Sequence, residues 1–371
     1  PHYMNMVQGC IREHLSNPQV VSLAMVLLSV LLLVMFFGGA LAPFLTAIAL
    51  AYFLEGAVSG LERSALSRTL GTLLVWLCFV ALLLISLFVL VPLITRQLAA
   101  AFQDVPALMQ SLQQFLYTLP ERYPQLVAPA EIDELLREMN AALVDLRNAF
   151  LARSWVVGVG VLYFAVYLVL VPLMVFFLLK DKQTILAWGR RFLPDDTTLI
   201  RRVWADVDRQ LGNYVRGKFI EIVIVGVVSW ATFSMLGLNY AMLLGTMVGF
   251  SVVVPYLGAL AVTVPVALVA FAQWGVGSEL GWVLFAYGVI QALDGNVLVP
   301  VLFSEAVDLH PVAIIVAVLF FGSIWGVLGV FFAIPLATVV NAVIQAWPDA
   351  GASADTPADA AAMVADASPA D

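Results

Sequence analysis

The chain has 371 residues, of which 63% are hydrophobic and only 11% charged, against roughly 25% charged in a soluble globular domain. That excludes a water-facing globular surface and predicts an all-α integral membrane protein, because apolar runs of about 18 residues and more suit helices, not the alternating strands of a barrel. The net charge of −8 says little about partners: all 17 Lys and Arg residues precede Phe219, which argues against nucleic acid binding by residues 219–371.

The first apolar stretch, 20–37, is too long for a signal-peptide core and reads as a retained anchor. A tight Gly38-Gly39 turn is expected to join it to a second span at 41–54, with Pro43 near its start. Spans three and four are expected at 70–94 and 155–179. Between them lies a polar insert, 95–154, carrying five Arg against seven acids. Apolar residues recur at helical spacing (Ile132, Leu135, Leu136, Met139, Leu143, Leu146), which predicts amphipathic helices broken near Pro106, Pro120, Pro124 and Pro129. Cys10 and Cys78, the only two cysteines, suggest neither a disulfide framework nor a metal cluster.

Segment 180–218 holds nine of the 17 basic residues, so the positive-inside rule makes it cytoplasmic. Counting spans from there sets both termini in the cytoplasm and the insert outside. Trp188 and Trp204, interleaved with Arg190, Arg191, Arg201 and Arg202, suit helices lying at the lipid headgroups, or a partner-binding surface.

After an ordinary span at 219–236, the run 240–274 is too long for one crossing: as a helix it would measure about 50 Å against a core of about 30 Å. A break is expected at Val254-Pro255-Tyr256-Leu257-Gly258. A further span at 282–303 precedes a second overlong run, 310–347, with a break expected at 322–329 around Gly322, Gly326 and Gly329. The two runs resemble each other, since Leu257-Gly258 is followed by Pro265 and Leu328-Gly329 by Pro335. Folded as hairpins, they make 219–274 and 282–347 a candidate pair of inverted repeats of the kind found in secondary transporters. Such punctuation is also an ordinary packing device in membrane helices. The tail, 348–371, is expected to be disordered. The organisation is therefore 1–94 (spans), 95–154 (insert), 155–179 (span), 180–218 (basic segment), 219–347 (substrate-carrying unit) and the tail.

Asp294 is the main candidate for chemistry. A carboxylate near the middle of a span costs roughly 2.5–3.5 kcal/mol, and no Lys or Arg follows Lys218 to neutralise it. It either faces water or binds a proton, and both suit a proton or cation carrier; the alternative is a buried Asp tied to backbone donors. Gly295 can open the helix there, and Pro300 frees backbone carbonyls near Gln291, Asp294 and Asn296. Glu221, three residues after Lys218, reads as an interface pair or a weaker coupling candidate. His310 reads as a helix cap or a proton relay, while Glu279, Glu305 and Asp308 fall in short links. The stretch Gly212-Asn-Tyr-Val-Arg-Gly217-Lys218 matches a phosphate-binding pattern, but Phe219 stands where Ser or Thr must hold magnesium. No catalytic motif is visible, so the chain reads as a non-enzyme with no cofactor and no metal.

Taken together the motifs resemble the autoinducer-2 exporter family, the PerM-like bacterial permeases, over most of 18–347. They are Pro43 with Ala51-Tyr52, Pro172 with Leu178-Leu179-Lys180-Asp181, Tyr214-Val-Arg-Gly217, and Val254-Pro255-Tyr256-Leu257-Gly258. Next come Gln291, Asp294-Gly295-Asn296 and Pro300, then Leu309-His310-Pro311, and Gly322 through Gly329 to Pro335. Two departures stand out: Lys218 where Gln is common and Gly56 where Pro is frequent. The resemblance implies a bacterial inner-membrane protein of about eight spans, a homo-oligomer (a pentamer) working by an elevator-like movement. It implies gating at tips formed by Pro255, Tyr256, Gly258, Gly322, Gly326, Gly329 and Pro335. Three readings stay open: export of a small solute such as autoinducer-2, Na⁺(Li⁺)/H⁺ antiport, and a non-transporting membrane scaffold.

Overall fold

The computed structural model describes residues 18–64, 66–122, 129–153, 157–191, 198–255, 257–303 and 310–352, and among these no residue is in a strand. The helices are α1 (Pro18–Arg63), α2 (Arg68–Ile85), α3 (Val91–Arg122), α4 (Pro129–Arg153), α5 (Val157–Lys180), α6 (Lys182–Arg190) and α7 (Thr198–Met235). They continue as α8 (Ala241–Ser251), α9 (Leu257–Trp274), α10 (Ser278–Leu293), the short α11 (Val299–Phe303), α12 (Pro311–Trp325) and α13 (Val327–Ala352). Six stretches are long and apolar enough to cross a membrane, and three shorter apolar helices accompany them among the described residues. The all-α membrane architecture is as expected.

Several boundaries differ from expectation. The turn at Gly38-Gly39 does not form, and α1 runs unbroken for 46 residues through both glycines and Pro43. Glycine costs a helix roughly 1 kcal/mol but does not force a turn. Unwinding between two apolar flanks would instead leave backbone groups unpaired in lipid. Pro106 and Pro120 likewise lie inside α3, because an interior proline removes one backbone bond and kinks a helix without having to end it. Pro129 does open a helix, whose Ile132 and Leu136 are buried, while Pro124 falls outside the described residues. The third span also does not stop before the insert. From α2 the chain widens into a π-turn, Ser86–Leu90, and continues directly into α3. In the same way the basic segment and the span after it share one helix, the 38-residue α7.

The described residues form two compact units that interleave along the chain. One lies within Ala57–Phe176 and Lys218–Val301, the other within Pro1–Gly56, Phe177–Gly217 and Leu302–Asp371. The first has a core of α7, α8, α9 and α10 side chains, including Phe233, Leu244, Val248, Val266, Val283 and Tyr287. Helices α7 and α8 cross closely at Gly245-Thr-Met-Val-Gly249, a small-xxx-small pattern suited to membrane packing. A Cβ on Gly245 would stand 2.6 Å from Trp230 N, and one on Gly249 2.9 Å from Gly226 Cα.

Helix α3 reaches the start of α8 in this unit. The Tyr240 hydroxyl donates to Asp104, and the Leu243 N–H donates to Gln97 Oε1 at 2.8 Å. Phe115 meets Phe271 edge to face with ring centres 5.5 Å apart. Gln97 satisfies one of the amides that a helix start otherwise leaves unpaired. Gln97→Ala is therefore expected to loosen this end of α8 by about 1 kcal/mol, seen as several-fold faster hydrogen exchange at the Leu243 amide.

The second unit is tied by polar and aromatic contacts. Tyr52 donates to Asp208 Oδ1 at 2.5 Å, and Lys182 pairs with Glu55 at 3.4 Å. Tyr214 packs against Phe303 and Phe331, with ring centres 5.6 and 6.1 Å away, and its hydroxyl donates to Phe331 O at 3.2 Å.

Candidate functional site

Both overlong runs break where expected. At the first tip α8 ends at Ser251 and α9 starts at Leu257. The tip is held by Val254 N–H to Ser251 O and Gly258 N–H to Val254 O, both 3.0 Å. At the second, Gly326 adopts φ 60° and its N–H bonds Gly322 O at 2.8 Å. The Leu-Gly pairs do the same job in each. A Cβ on Gly258 would stand 1.8 Å from Ser251 O, and one on Gly329 1.9 Å from Phe321 O. Gly322 abuts Val330, and Pro335 is buried. Tyr256 lies outside the described residues, as do Glu305 and Asp308.

Lys218 and Glu221 enter the apolar part of α7 one turn apart and are 4% and 2% exposed. Lys218 Nζ lies 2.6 Å from Glu221 Oε2 and donates to Val252 O at 3.0 Å, at the carboxyl end of α8. The ammonium thus meets a carboxylate and the negative end of a helix together. Removing one partner of such a buried pair typically costs about 3–5 kcal/mol, because the other charge is left uncompensated.

Asp294 stands in a π-turn, Asp294–Leu298, that carries α10 into α11 without breaking the chain of turns. The segment was expected to open at Gly295; instead the helix widens, and the Val299 N–H bonds Asp294 O. Pro300 follows this turn; it has no N–H, and its ring crowds the carbonyl four residues back. The other π-turn also runs into a Val-Leu-Val-Pro end, at Pro92 as here at Pro300. What sets the second apart is its polar content. Asp294 Oδ1 and Gln291 Nε2 are enclosed and find no hydrogen-bond partner among the described residues. Asn296 is exposed, and its Nδ2 donates back to Ala292 O at 2.8 Å. A Cβ on Gly295 would meet nothing within 4 Å.

Asp294 lies within electrostatic reach of Lys218, and Glu221 within reach of Asp294, so the three charges form one cluster. This corrects the expectation that Asp294 has no intramolecular counter-ion. Lys218, the last basic residue of the chain, acts on it through space from α7, while its ammonium contacts Glu221 and Val252 O. Tyr287 lines the same side of α10, and its hydroxyl donates to Ala259 O at 2.7 Å. His310 caps α12, with Nδ1 accepting from Val312 N–H at 3.3 Å. Sequence reasoning paired Lys218 with Glu221 but missed its relation to Asp294, and it missed Tyr287. The Lys-x-x-Glu spacing at the mouth of an apolar run was the signal for the pair; Tyr287 looked like any core aromatic.

These features define a multi-pass α-helical membrane protein with a charged cluster inside its apolar helices. Residues 21–349 match the family model described as AI-2E family transporter. The chain is 46% identical over 347 residues to "Putative permease PerM" of Escherichia coli strain K12, covering 93% of this chain and 98% of that protein. It is 26% identical to "Putative transport protein YueF" of Bacillus subtilis strain 168, over 78% of this chain and 80% of the relative. "Putative transport protein YrrI" of the same organism is also 26% identical, over 81% and 85%. The chain belongs to the AI-2E transporter family.

Proposed function

We propose that this protein is a secondary transporter of the bacterial inner membrane, exporting a small solute of the autoinducer-2 kind by an elevator-like movement of residues 219–347. Asp294, with Gln291 beside it, carries the coupling proton, and the tips at Gly258 and Gly329 gate the site. The observation that carries this reading is Asp294 Oδ1, enclosed inside an apolar span with no hydrogen-bond partner among the described residues. A structural carboxylate at that depth would be expected to satisfy its oxygens with backbone or side-chain donors.

The same cluster supports Na⁺(Li⁺)/H⁺ antiport as a second reading, because a carboxylate pair serves either cargo. Proteoliposomes with the full chain distinguish them. Labelled autoinducer-2 accumulating against its gradient names solute transport; Na⁺ or Li⁺ fluxes alone name antiport. No flux of any of the three would sink both and leave the scaffold reading. On the scaffold reading, charge reversal at Arg190, Arg191, Arg201 and Arg202 would abolish function.

A further inference from the structure

Lys218 occupies the kind of place in which transporters hold an alkali cation. Such cations take carboxylate oxygens and the free carbonyls at the carboxyl ends of short membrane helices. Here both donor types are present, Glu221 Oε2 at 2.6 Å and Val252 O at 3.0 Å, and both face the ammonium of Lys218. Among the described residues the remaining ionisable groups around the cluster are few. Helix α7 supplies Lys218 and Glu221, the α10 side supplies Asp294 and the Tyr287 hydroxyl, and α8 and α9 supply no ionisable side chain at all. With Lys218 charged, the two carboxylates among the described residues leave a single negative charge to balance in an apolar span.

We infer that Lys218 is the specificity-determining residue of the coupling site: a tethered monovalent cation that keeps out Na⁺ and Li⁺ and leaves the carboxylate pair one proton to bind and release. The inference rests on the reading of Asp294 as the coupling residue and narrows it from cation or proton to proton. The fixed ammonium repels a second cation from the donors it already fills. A proton needs only one carboxylate oxygen, and Asp294 Oδ1 is enclosed without a hydrogen-bond partner among the described residues. Replacing Lys218 by Gln would keep a side chain of similar reach, add an oxygen donor and remove the charge. The vacated site would then hold two negative charges, one more than in the wild type, and three kinds of oxygen.

The test is the thermal unfolding midpoint of the purified full-length protein in NaCl or LiCl against choline chloride at equal ionic strength. A cation that binds the folded state raises the midpoint in a saturable way. The wild type is expected to be flat, and Lys218→Gln to gain a saturable rise that disappears when Asp294→Asn is added. A saturable Na⁺ or Li⁺ response in the wild type overturns the inference, and so does a Lys218→Gln variant as flat as the wild type. If Lys218→Gln does not fold in any of these salts, the double variant Lys218→Gln/Glu221→Gln carries the test. It removes both members of the pair and keeps the cluster's net charge through Asp294. There a saturable rise supports the inference and a flat response overturns it. Because the readout needs no transport, a silent liposome assay sinks the transporter reading without touching this result.

Discussion

Gly258→Ala and Gly329→Ala are each expected to destabilise the protein by about 3 kcal/mol, at the upper end of the range for overpacking a tight site. The added methyl would fall 1.8 Å from Ser251 O in one tip and 1.9 Å from Phe321 O in the other. In both cases the obstacle is backbone, which cannot rotate away as a side-chain end could. Relief requires opening the tip, and so parting α8 from α9 or α12 from α13. Gly60→Ala provides the contrast: nothing stands within 4 Å of its Cβ, so removing a helical glycine there should stabilise by up to about 1 kcal/mol. Thermal unfolding in detergent reads all three. Gly258→Ala or Gly329→Ala variants that melt with the wild type would show that the tips yield, and would remove the basis for treating them as rigid gates.

Asp294→Asn is expected to leave a folded protein, at least as stable as the wild type, whose solute transport falls by about 100-fold, the scale of loss for a group that handles a proton. The two halves of that prediction have one physical origin. Losing the carboxylate removes a charge that costs roughly 2.5–3.5 kcal/mol at mid-membrane, and leaves Lys218 and Glu221 as a neutral pair. Asn keeps nearly the same shape, so packing is spared, but it cannot exchange a proton. Stability rising or holding while transport collapses is the signature of a residue kept for function. A parallel loss of both would instead assign Asp294 a structural role.

Much of the architecture was legible because the bilayer sets the lengths. Once a run of 35 residues must fit a core of about 30 Å, a break is forced, and Val254-Pro255 and the glycines at 322–329 are where the backbone can turn. Glycine alone was a poor guide. Gly38-Gly39 permits a turn but nothing demands one, so α1 passes straight through. Prolines misled for the same reason, with Pro106 and Pro120 carried inside α3. The π-turn at Asp294 was out of local reach. Val-Leu-Val-Pro also occurs at 169–172, where α5 stays regular around Pro172, so the tetrapeptide by itself does not specify the widening. Asp294 could be singled out from polarity and depth. Its relation to Lys218 could not, because it depends on tertiary packing between residues 76 positions apart. The Val252 carbonyl that receives Lys218 is likewise 34 positions away.

Whether the Asp294 cluster moves a proton with its cargo is tested most directly by one measurement. Proteoliposomes holding a proton gradient, with the full-length wild type or Asp294→Asn, would receive autoinducer-2, Na⁺ and Li⁺ separately. Discharge of the gradient by autoinducer-2 through the wild type and not through Asp294→Asn is the predicted result. Equal discharge through both proteins, or silence from the wild type with every addition, would contradict it.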